Sequence, residues 1–215
     1  MSSEAVTDQR ALRGLETRRR IVDAARDVLV AHGHGGTSTR AVAEAAGVNL
    51  SQVHYHFGGR HGLLLAVLEQ ENEALLERQR ALYAAPGPLS EKWRLASDFL
   101  EEDLRSGYVR VLWELWAAGL TDPELAAGWR DAASGWRDLL ESVFAAWADE
   151  VGVELPMSPR AVATMVGTVF FGMEVELLAG VEAPYREVLD AIGALIARAE
   201  EGRGYDALAR GWASK

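Results

Sequence analysis

The stretch that most constrains the fold is residues 37 to 57, where two short helix-periodic segments are separated by a glycine. Thr37 is placed to cap a first helix whose apolar positions Val42, Ala45 and Ala46 fall at helical spacing, and Gly47 supplies the left-handed residue that ends it. Asn49 caps a second helix, with Gln52 three residues on in the position of a capping-box partner. Two short helices joined by a tight turn containing glycine form a helix-turn-helix. At about 100° per residue, the second helix groups Leu50, Val53 and Phe57 on one face and Ser51 and Tyr55 on the other. Gln52, His54 and His56 flank the two faces. A helix with one narrow apolar stripe and an exposed hydrogen-bonding face can anchor itself and still read a groove, so this is a candidate DNA recognition helix.

Charge distribution agrees with a polyanionic partner, although the total of −10 at first argues against one. Residues 1 to 60 carry eight arginines against six carboxylates, or +2, which leaves −12 for the rest of the chain. All five histidines, His32, His34, His54, His56 and His61, also lie at or before residue 61. A mildly basic head on an acidic body orients the head towards nucleic acid. There is no cysteine, which suits a reducing compartment, and the first residues lack a hydrophobic signal core, which argues against export. A cytoplasmic location is expected.

In chain order, residues 1 to 14 show no periodicity and read as a flexible arm. From Thr17, the residues Ile21, Ala24, Ala25, Val28 and Leu29 trace an amphipathic helix ending near Gly33, with Arg18, Arg19 and Arg20 in its first turn. Three cations at a helix N-terminus oppose the macrodipole, a cost that a nearby phosphate would offset. After the recognition helix, residues 61 to 84 form a long helix with a broad apolar face, ended by Pro86-Gly87-Pro88. Further helices are expected over 90 to 105, 108 to 120, 122 to 150, 158 to 180 and 186 to 200. The predicted fold is therefore all-α: an arm (1–14), a three-helix helix-turn-helix DNA-binding head (15–60) and a larger helical ligand-binding and dimerisation body (61–215).

Three runs carry a resemblance: Ala43-Glu44-Ala45-Ala46-Gly47-Val48, then Val53-His54-Tyr55-His56-Phe57, then Leu63-Leu64-Leu65-Ala66-Val67-Leu68-Glu69. In this order and spacing they resemble the TetR (tetracycline-repressor-like) family over roughly residues 17 to 69. In that family's pattern, the turn after the recognition helix more often reads Pro-Ser-Lys-Glu. Here it is Gly58-Gly59-Arg60-His61, in which Arg60 matches the basic position and the two glycines depart. The resemblance implies a homodimeric, ligand-responsive transcriptional regulator, a repressor released from a palindromic double-stranded operator by a small molecule. It also implies dimerisation through the last two large helices, near 158–180 and 186–200. Ser51 and Gln52 are the expected base or phosphate readers, with His54 beside them on the flank. Tyr55 is expected on the backbone or a thymine methyl, and Thr37, Thr39, Arg40, His56 and Arg60 on phosphates.

The body holds all seven tryptophans, including Trp212. Small-molecule sites are mostly apolar cavities with a few polar groups inside. The candidate lining is Tyr108, Leu112, Trp113, Trp116, Trp136, Met165, Val169, Phe170, Met173 and Glu174, which suits a hydrophobic or aromatic effector. The tetrapeptide Gly-Trp-Arg-Asp occurs at 128–131 and again at 135–138, a local packing device one heptad apart. Ala161 to Val181 is nearly apolar, but Glu174 and Glu176 interrupt it. A buried helix between protein surfaces is the better reading than a membrane span, and at least one of the two carboxylates should be paired. Ala163, Gly167, Thr168 and Gly172 on the same helix allow close approach of a second helix.

No catalytic Ser-His-Asp order, phosphate loop or HExxH pair can be placed, and His54 and His56, two apart on a helix, do not converge on one metal. Neither an enzyme nor a cofactor or metal requirement is expected. The competing readings are a dimeric helical ligand-binding or scaffolding protein without DNA binding, and an activator of the same fold.

Overall fold

The computed structural model describes residues 3–202, with backbone alone for residues 3–8 and 10; Trp212 lies outside the described residues. Among these residues every regular element is helical: α1 (Ser3–Gly36), α2 (Thr39–Ala45), α3 (Leu50–Phe57), α4 (Arg60–Ala84), α5 (Leu89–Ser106), α6 (Tyr108–Gly119), α7 (Pro123–Val151), α8 (Pro159–Leu178) and α9 (Tyr185–Glu200). The expected all-α architecture, with a helix-turn-helix near the N-terminus, is what forms. Two compact units divide the chain, one from residues 1–73 and 110–132 and the other from 74–109 and 133–215. Helices α4, α6 and α7 each contribute to both.

In the first unit, Ile21, Ala25 and Leu29 of α1, Val42 of α2, Val53 of α3, Leu63, Leu64 and Val67 of α4, Leu115 of α6 and Leu125 of α7 are buried. The helix expected from Thr17 begins earlier, at Ser3, so residues 3 to 14, read as an arm, are helical. Their composition includes good helix formers, whereas Leu12 and Leu15 stay exposed. Gln9, Ala11, Leu12 and Arg13 are exposed, so no buried apolar period marks this part of the helix. At the other end, the expected break near Gly33 occurs: it has φ 67° and ψ 178° inside α1.

The first cap differs from expectation. Ser38, not Thr37, is the N-cap of α2, and its hydroxyl accepts from the Ala41 N–H at 3.1 Å. Gly47 takes φ 62° and ends α2 as expected. Asn49 is the N-cap of α3 but makes no side-chain cap hydrogen bond, so the capping box does not form and Gln52 keeps its side chain exposed. Gly58 and Gly59, the departures from the family pattern, have φ 70° and 149°, conformations in which L side chains are strained. They serve a short turn between α3 and α4. Gly62 has a separate reason: a Cβ there would sit 2.2 Å from the Phe57 carbonyl oxygen.

The second unit packs α5 against α9 and α8. Its core joins Leu76, Trp93, Leu100, Trp136, Leu140, Phe144, Val162, Val166, Phe170, Met173, Leu189 and Ile196. Trp93 Nε1 donates to the Leu189 carbonyl at 2.8 Å, and Gly193 lets α9 come close to that ring. Glu200, near the end of α9, accepts from the Ser90 hydroxyl and from Trp147 Nε1, fixing the start of α5 and the far part of α7. Arg78 forms a two-pronged pair with Asp103, with N–O distances of 2.8 and 2.6 Å, while its guanidinium stacks on Phe99.

The repeated tetrapeptide works as a packing device, one copy in each unit. In the first unit, the position of a Cβ on Gly128 is 3.1 Å from Leu65; in the second, that of Gly135 is 3.5 Å from Leu76. Both glycines therefore bring α7 close to α4 leucines, one heptad apart. Helix α8 is long and apolar enough to cross a membrane by length and composition, with a mean hydropathy of 1.6. One face of it, through Val162, Ala163, Val166, Gly167, Phe170, Met173 and Glu174, is buried.

Candidate functional site

Helix α3 presents the expected surface. Val53 is wholly buried and Phe57 half-buried, while Ser51, Gln52, His54 and Tyr55 are exposed, Tyr55 at 84 %. Leu50, grouped with the anchoring stripe in the sequence, is instead 39 % exposed, because it sits in the first turn where the helix has yet to meet its neighbours. His56 is half-buried and meets the Tyr55 ring edge-on at 5.0 Å. Arg18 of α1 lies over Phe57, 5.3 Å from the ring centroid, so one of the three consecutive arginines is held beside the end of α3. Arg19, Arg20 and Arg40 are exposed, Thr39 is half-buried, and Arg19 is 3.8 Å from Asp23.

Two expected phosphate contacts have other structural roles. Thr37 is only 1 % exposed and its hydroxyl donates to the Gly33 carbonyl at 2.8 Å. A hydroxyl so enclosed is not available to a phosphate. Arg60 donates through Nε to the Thr37 carbonyl at 2.6 Å and through Nη2 to the His34 carbonyl. It ties the first turn of α4 to the α1–α2 junction, closing carbonyls that a helix end leaves open.

Glu114 of α6 completes this junction. Its carboxylate accepts from the His34 N–H at 2.8 Å and fills the space where a Cβ on Gly33 would lie, 2.9 Å away. Burial and then the Arg60 charge lower the His34 pKa, opposed by Glu114 and Asp122. Asp122 caps α7, accepting from the N–H groups of Glu124 and Leu125 at 3.1 and 3.2 Å, and it lies 2.9 Å from His61 Nδ1. The Leu125 N–H, with the His61 charge and the Glu124 N–H, holds the Asp122 carboxyl below its usual range against a desolvation penalty. His61 Nε2 is also 2.6 Å from Glu124 Oε2, a close pair without the alignment of a hydrogen bond. Thus α6 and α7 both grip the ends of head helices through carboxylates. No sequence signal marks these contacts: Asp122 and Glu124 read as ordinary acidic surface, and Glu114 reads as one of the polar groups of an effector cavity, whereas its carboxylate is engaged at Gly33 and His34.

The expected effector-lining residues fall in two groups. In the first unit, Leu112 is buried and Trp113 and Trp116 meet at 5.2 Å, with Trp129 at 6.5 and 6.4 Å from them. In the second, Tyr108, Trp136, Phe170, Met173 and Glu174 are buried, and Val169 is half-buried. Phe170 meets Trp93 and Trp136 edge-on, each at 5.9 Å. Met165 does not join them: it is 47 % exposed, because at about 100° per residue it lies off the face that carries Val166 and Phe170. The small residues of α8 divide in the same way. Ala163 and Gly167 are buried, Gly167 against Trp136, whereas Thr168 and Gly172 point outwards. Glu176 accepts from the Tyr185 hydroxyl at 2.8 Å, the pairing expected for one of the two carboxylates.

The family model described as bacterial regulatory proteins, tetR family, matches residues 21–67, the span of the helix-turn-helix and the start of α4. The solved structure of a member of the TetR family from Streptomyces coelicolor A3 is 30 % identical, covering 84 % of this chain and 98 % of that one with a TM-score of 0.63. The chain belongs to the TetR family. Another relative, the HTH-type transcriptional repressor AcnR of Corynebacterium efficiens, is 25 % identical over 86 % of this chain and 94 % of its own length. The transcriptional regulator FadR from Bacillus subtilis, solved in complex with stearoyl-CoA, shares the fold at 15 % identity with a TM-score of 0.66, over 83 % of this chain and 96 % of that one. As a TetR-family member, the protein is a DNA-binding transcriptional regulator, and its family is one of regulators rather than enzymes.

Proposed function

We propose that the protein is a homodimeric, ligand-responsive repressor that acts in the cytoplasm on a palindromic operator. The observation that carries this reading is α3 itself: a helix fixed by buried Val53, exposing Ser51, Gln52, His54 and Tyr55 beside Arg18 stacked on Phe57. Gln52 and Ser51 read base edges or phosphates, Tyr55 contacts the backbone or a thymine methyl, and Thr39, Arg40 and His56 contact phosphates. Residues 15–60 serve as the reading head, and 61–215 as the ligand-binding and dimerising body.

Dimerisation is supported by an apolar outward surface. Met165, Val175 and Leu178 of α8 and Val188 and Leu195 of α9 are exposed, and Gly172 and Thr168 keep the α8 face low enough for close helix approach. Repression and response to a ligand are supported by AcnR, named a repressor, and by FadR, solved with stearoyl-CoA. In the mechanism proposed, effector binding in the body shifts α4, whose first turn holds the α1–α2 junction through Arg60. The two recognition helices then leave the separation of about 34–36 Å that matches successive major grooves. A coupling of about 1–3 kcal/mol would change operator affinity by about 5–150-fold.

Footprinting of the purified protein on DNA flanking its own gene, repeated over a salt series, tests this reading. A protected palindrome whose affinity falls steeply with salt is expected. Absence of protection there and in a genome-wide selection would remove DNA from the proposal and leave a ligand-binding or scaffolding protein.

A further inference from the structure

In the second unit, α5 and α9 leave an open groove of about 530 Å³ between them. Short side chains line it, Ser90 and Ser97 from α5 and Ala194 and Ala197 from α9, around Trp93 and Gly193. Gly193 lets the two helices meet, since a Cβ there would lie 3.0 Å from the Trp93 ring, and the alanines on either side keep the space open. Its size falls in the range of about 300–1,000 Å³ typical of clefts that bury a bound group. Glu91 and Asp190 also line it, and neither makes an ion pair among the described residues, whereas Arg94 is held by Asp98 at 3.2 Å. The groove lies apart from the face proposed for dimerisation. At about 100° per residue, Asp190 and Ala197 fall on the opposite side of α9 from the exposed Val188 and Leu195. A second copy docked on Val188 and Leu195 therefore leaves the groove uncovered.

The end of the same chain starts beside it. Glu200, in the last turn of α9, accepts from the hydroxyl of Ser90, one of the groove residues. Gly202 has φ 67° and donates its N–H to the Ala199 carbonyl at 3.1 Å, a left-handed turn that takes the chain off the axis of α9. From residue 203 the sequence runs Arg-Gly-Tyr-Asp-Ala-Leu-Ala-Arg-Gly-Trp-Ala-Ser-Lys. Tyr205, Leu208 and Trp212 recur in it at spacings of three and four, and Arg203, Arg210 and Lys215 outnumber its one carboxylate, Asp206. We infer that the groove between α5 and α9 is the seat of residues 203–215 of the chain itself, with Trp212 as the anchor against Ala194 and Ala197. The reach is sufficient. From Arg203 to Trp212 the chain can span up to about 33–36 Å, while Asp190 and Ala197 are about 10 Å apart along α9. The charges are complementary, a basic segment against the unpaired Glu91 and Asp190. An indole seated there buries about 150–250 Å² of its own surface. The segment then works as a strap across α5 and α9.

The chain has no cysteine, so introduced pairs report the contact directly in the full-length protein. Ala197→Cys with Ala213→Cys puts one thiol in the groove. Arg198→Cys with Ala213→Cys puts it one residue further on, about 100° around α9 and outside the groove, at nearly the same separation along the chain. Ala194→Cys with Ala213→Cys is a second groove pair, in case a thiol at 197 disturbs the packing near Ser90. Disulfide formation under a mild oxidant is followed by non-reducing gel electrophoresis. Both groove pairs are expected to close an intrachain bond about tenfold faster than the Arg198 pair, and adding Trp212→Ala should bring them down to its rate. Equal rates for all three pairs would overturn the inference, as would an advantage that survives Trp212→Ala. Disulfide-linked dimers from the groove pairs would put a second copy in the groove and overturn it too. The readout uses neither DNA nor effector, so it stands or falls separately from the proposed function.

Discussion

At the joint of α1, α2 and α4, Arg60 closes the His34 and Thr37 carbonyls, Thr37 returns its hydroxyl to Gly33, and Glu114 takes the His34 N–H. In the interior of the second unit, Gln79 Oε1 and Trp136 Nε1 are buried without such partners. The head is built to hold one shape whether or not anything is bound. Removing a polar group from the joint should weaken the fold, whereas replacing the unpaired Gln79 amide by an apolar side chain of similar length should cost little. The joint thus draws its polar groups into the fold, while the second unit leaves these two unpaired.

The largest expected effect tests how rigid the head is. Gly62→Ala would push a Cβ into the Phe57 carbonyl at 2.2 Å, and the obstacle is backbone, which cannot rotate away. A loss of about 3 kcal/mol in chemical denaturation is expected, with operator binding lost in parallel because α3 is displaced. A well-folded Gly62→Ala protein would show that the α3–α4 turn is pliant and would weaken the contrast. Next comes Arg60→Ala, which leaves two carbonyls without their charged donor. It should cost about 1–3 kcal/mol. Arg60→Lys should recover little of this, because one ammonium cannot reproduce a guanidinium that reaches both acceptors. Rescue by lysine would instead point to the phosphate role that the sequence suggested.

A smaller and sharper test separates two neighbouring hydroxyls. Ser38→Ala removes the α2 cap and should cost about 1 kcal/mol. Thr37→Val keeps the shape of a buried side chain but removes its hydrogen bond to Gly33, with a similar loss of about 1 kcal/mol. Neither change should alter the salt dependence of operator binding. A reduced salt slope for Thr37→Val would return Thr37 to the phosphate-contacting set.

These residues also show what a sequence can reveal. The body helix over 90 to 105 forms as Leu89–Ser106, and that over 122 to 150 as Pro123–Val151, because proline and glycine punctuate long apolar periods. Periodicity did not separate Thr37 from Ser38, since either hydroxyl can cap and only the turn geometry at Gly33 assigns the roles. It also grouped Ala163 and Gly167 with Thr168 and Gly172 as small residues, although the helix turns the first two inwards. The exposed polar face of α3 was legible because the helix alternates a buried anchor with exposed polar groups within eight residues. The part played by Arg60 was not, because it depends on which distant carbonyls the fold brings near it.

The smallest effect concerns pH. Burial, followed by the Arg60 charge, lowers the His34 pKa in the folded protein, while Glu114 and Asp122 act to raise it. Between that lowered value and the ordinary 6.5, the unfolded chain binds more protons than the folded one, so stability rises with pH. His34 therefore contributes fully above about 6.5, and its contribution fades as pH falls through the range below. The size is modest because the ring is partly exposed. Asp122 acts in the same direction, but in the carboxylate range, below about pH 4. Thermal unfolding at pH 7.5, 6.5 and 5.5 should show a falling Tm that is flatter in His34→Gln. A rising Tm on acidification, abolished by the same substitution, would mean that Glu114 and Asp122 dominate the ring's surroundings. The joint would then be organised around the carboxylates of α6 and the α6–α7 turn, not around Arg60, and a change in those segments would reach the head without passing along α4.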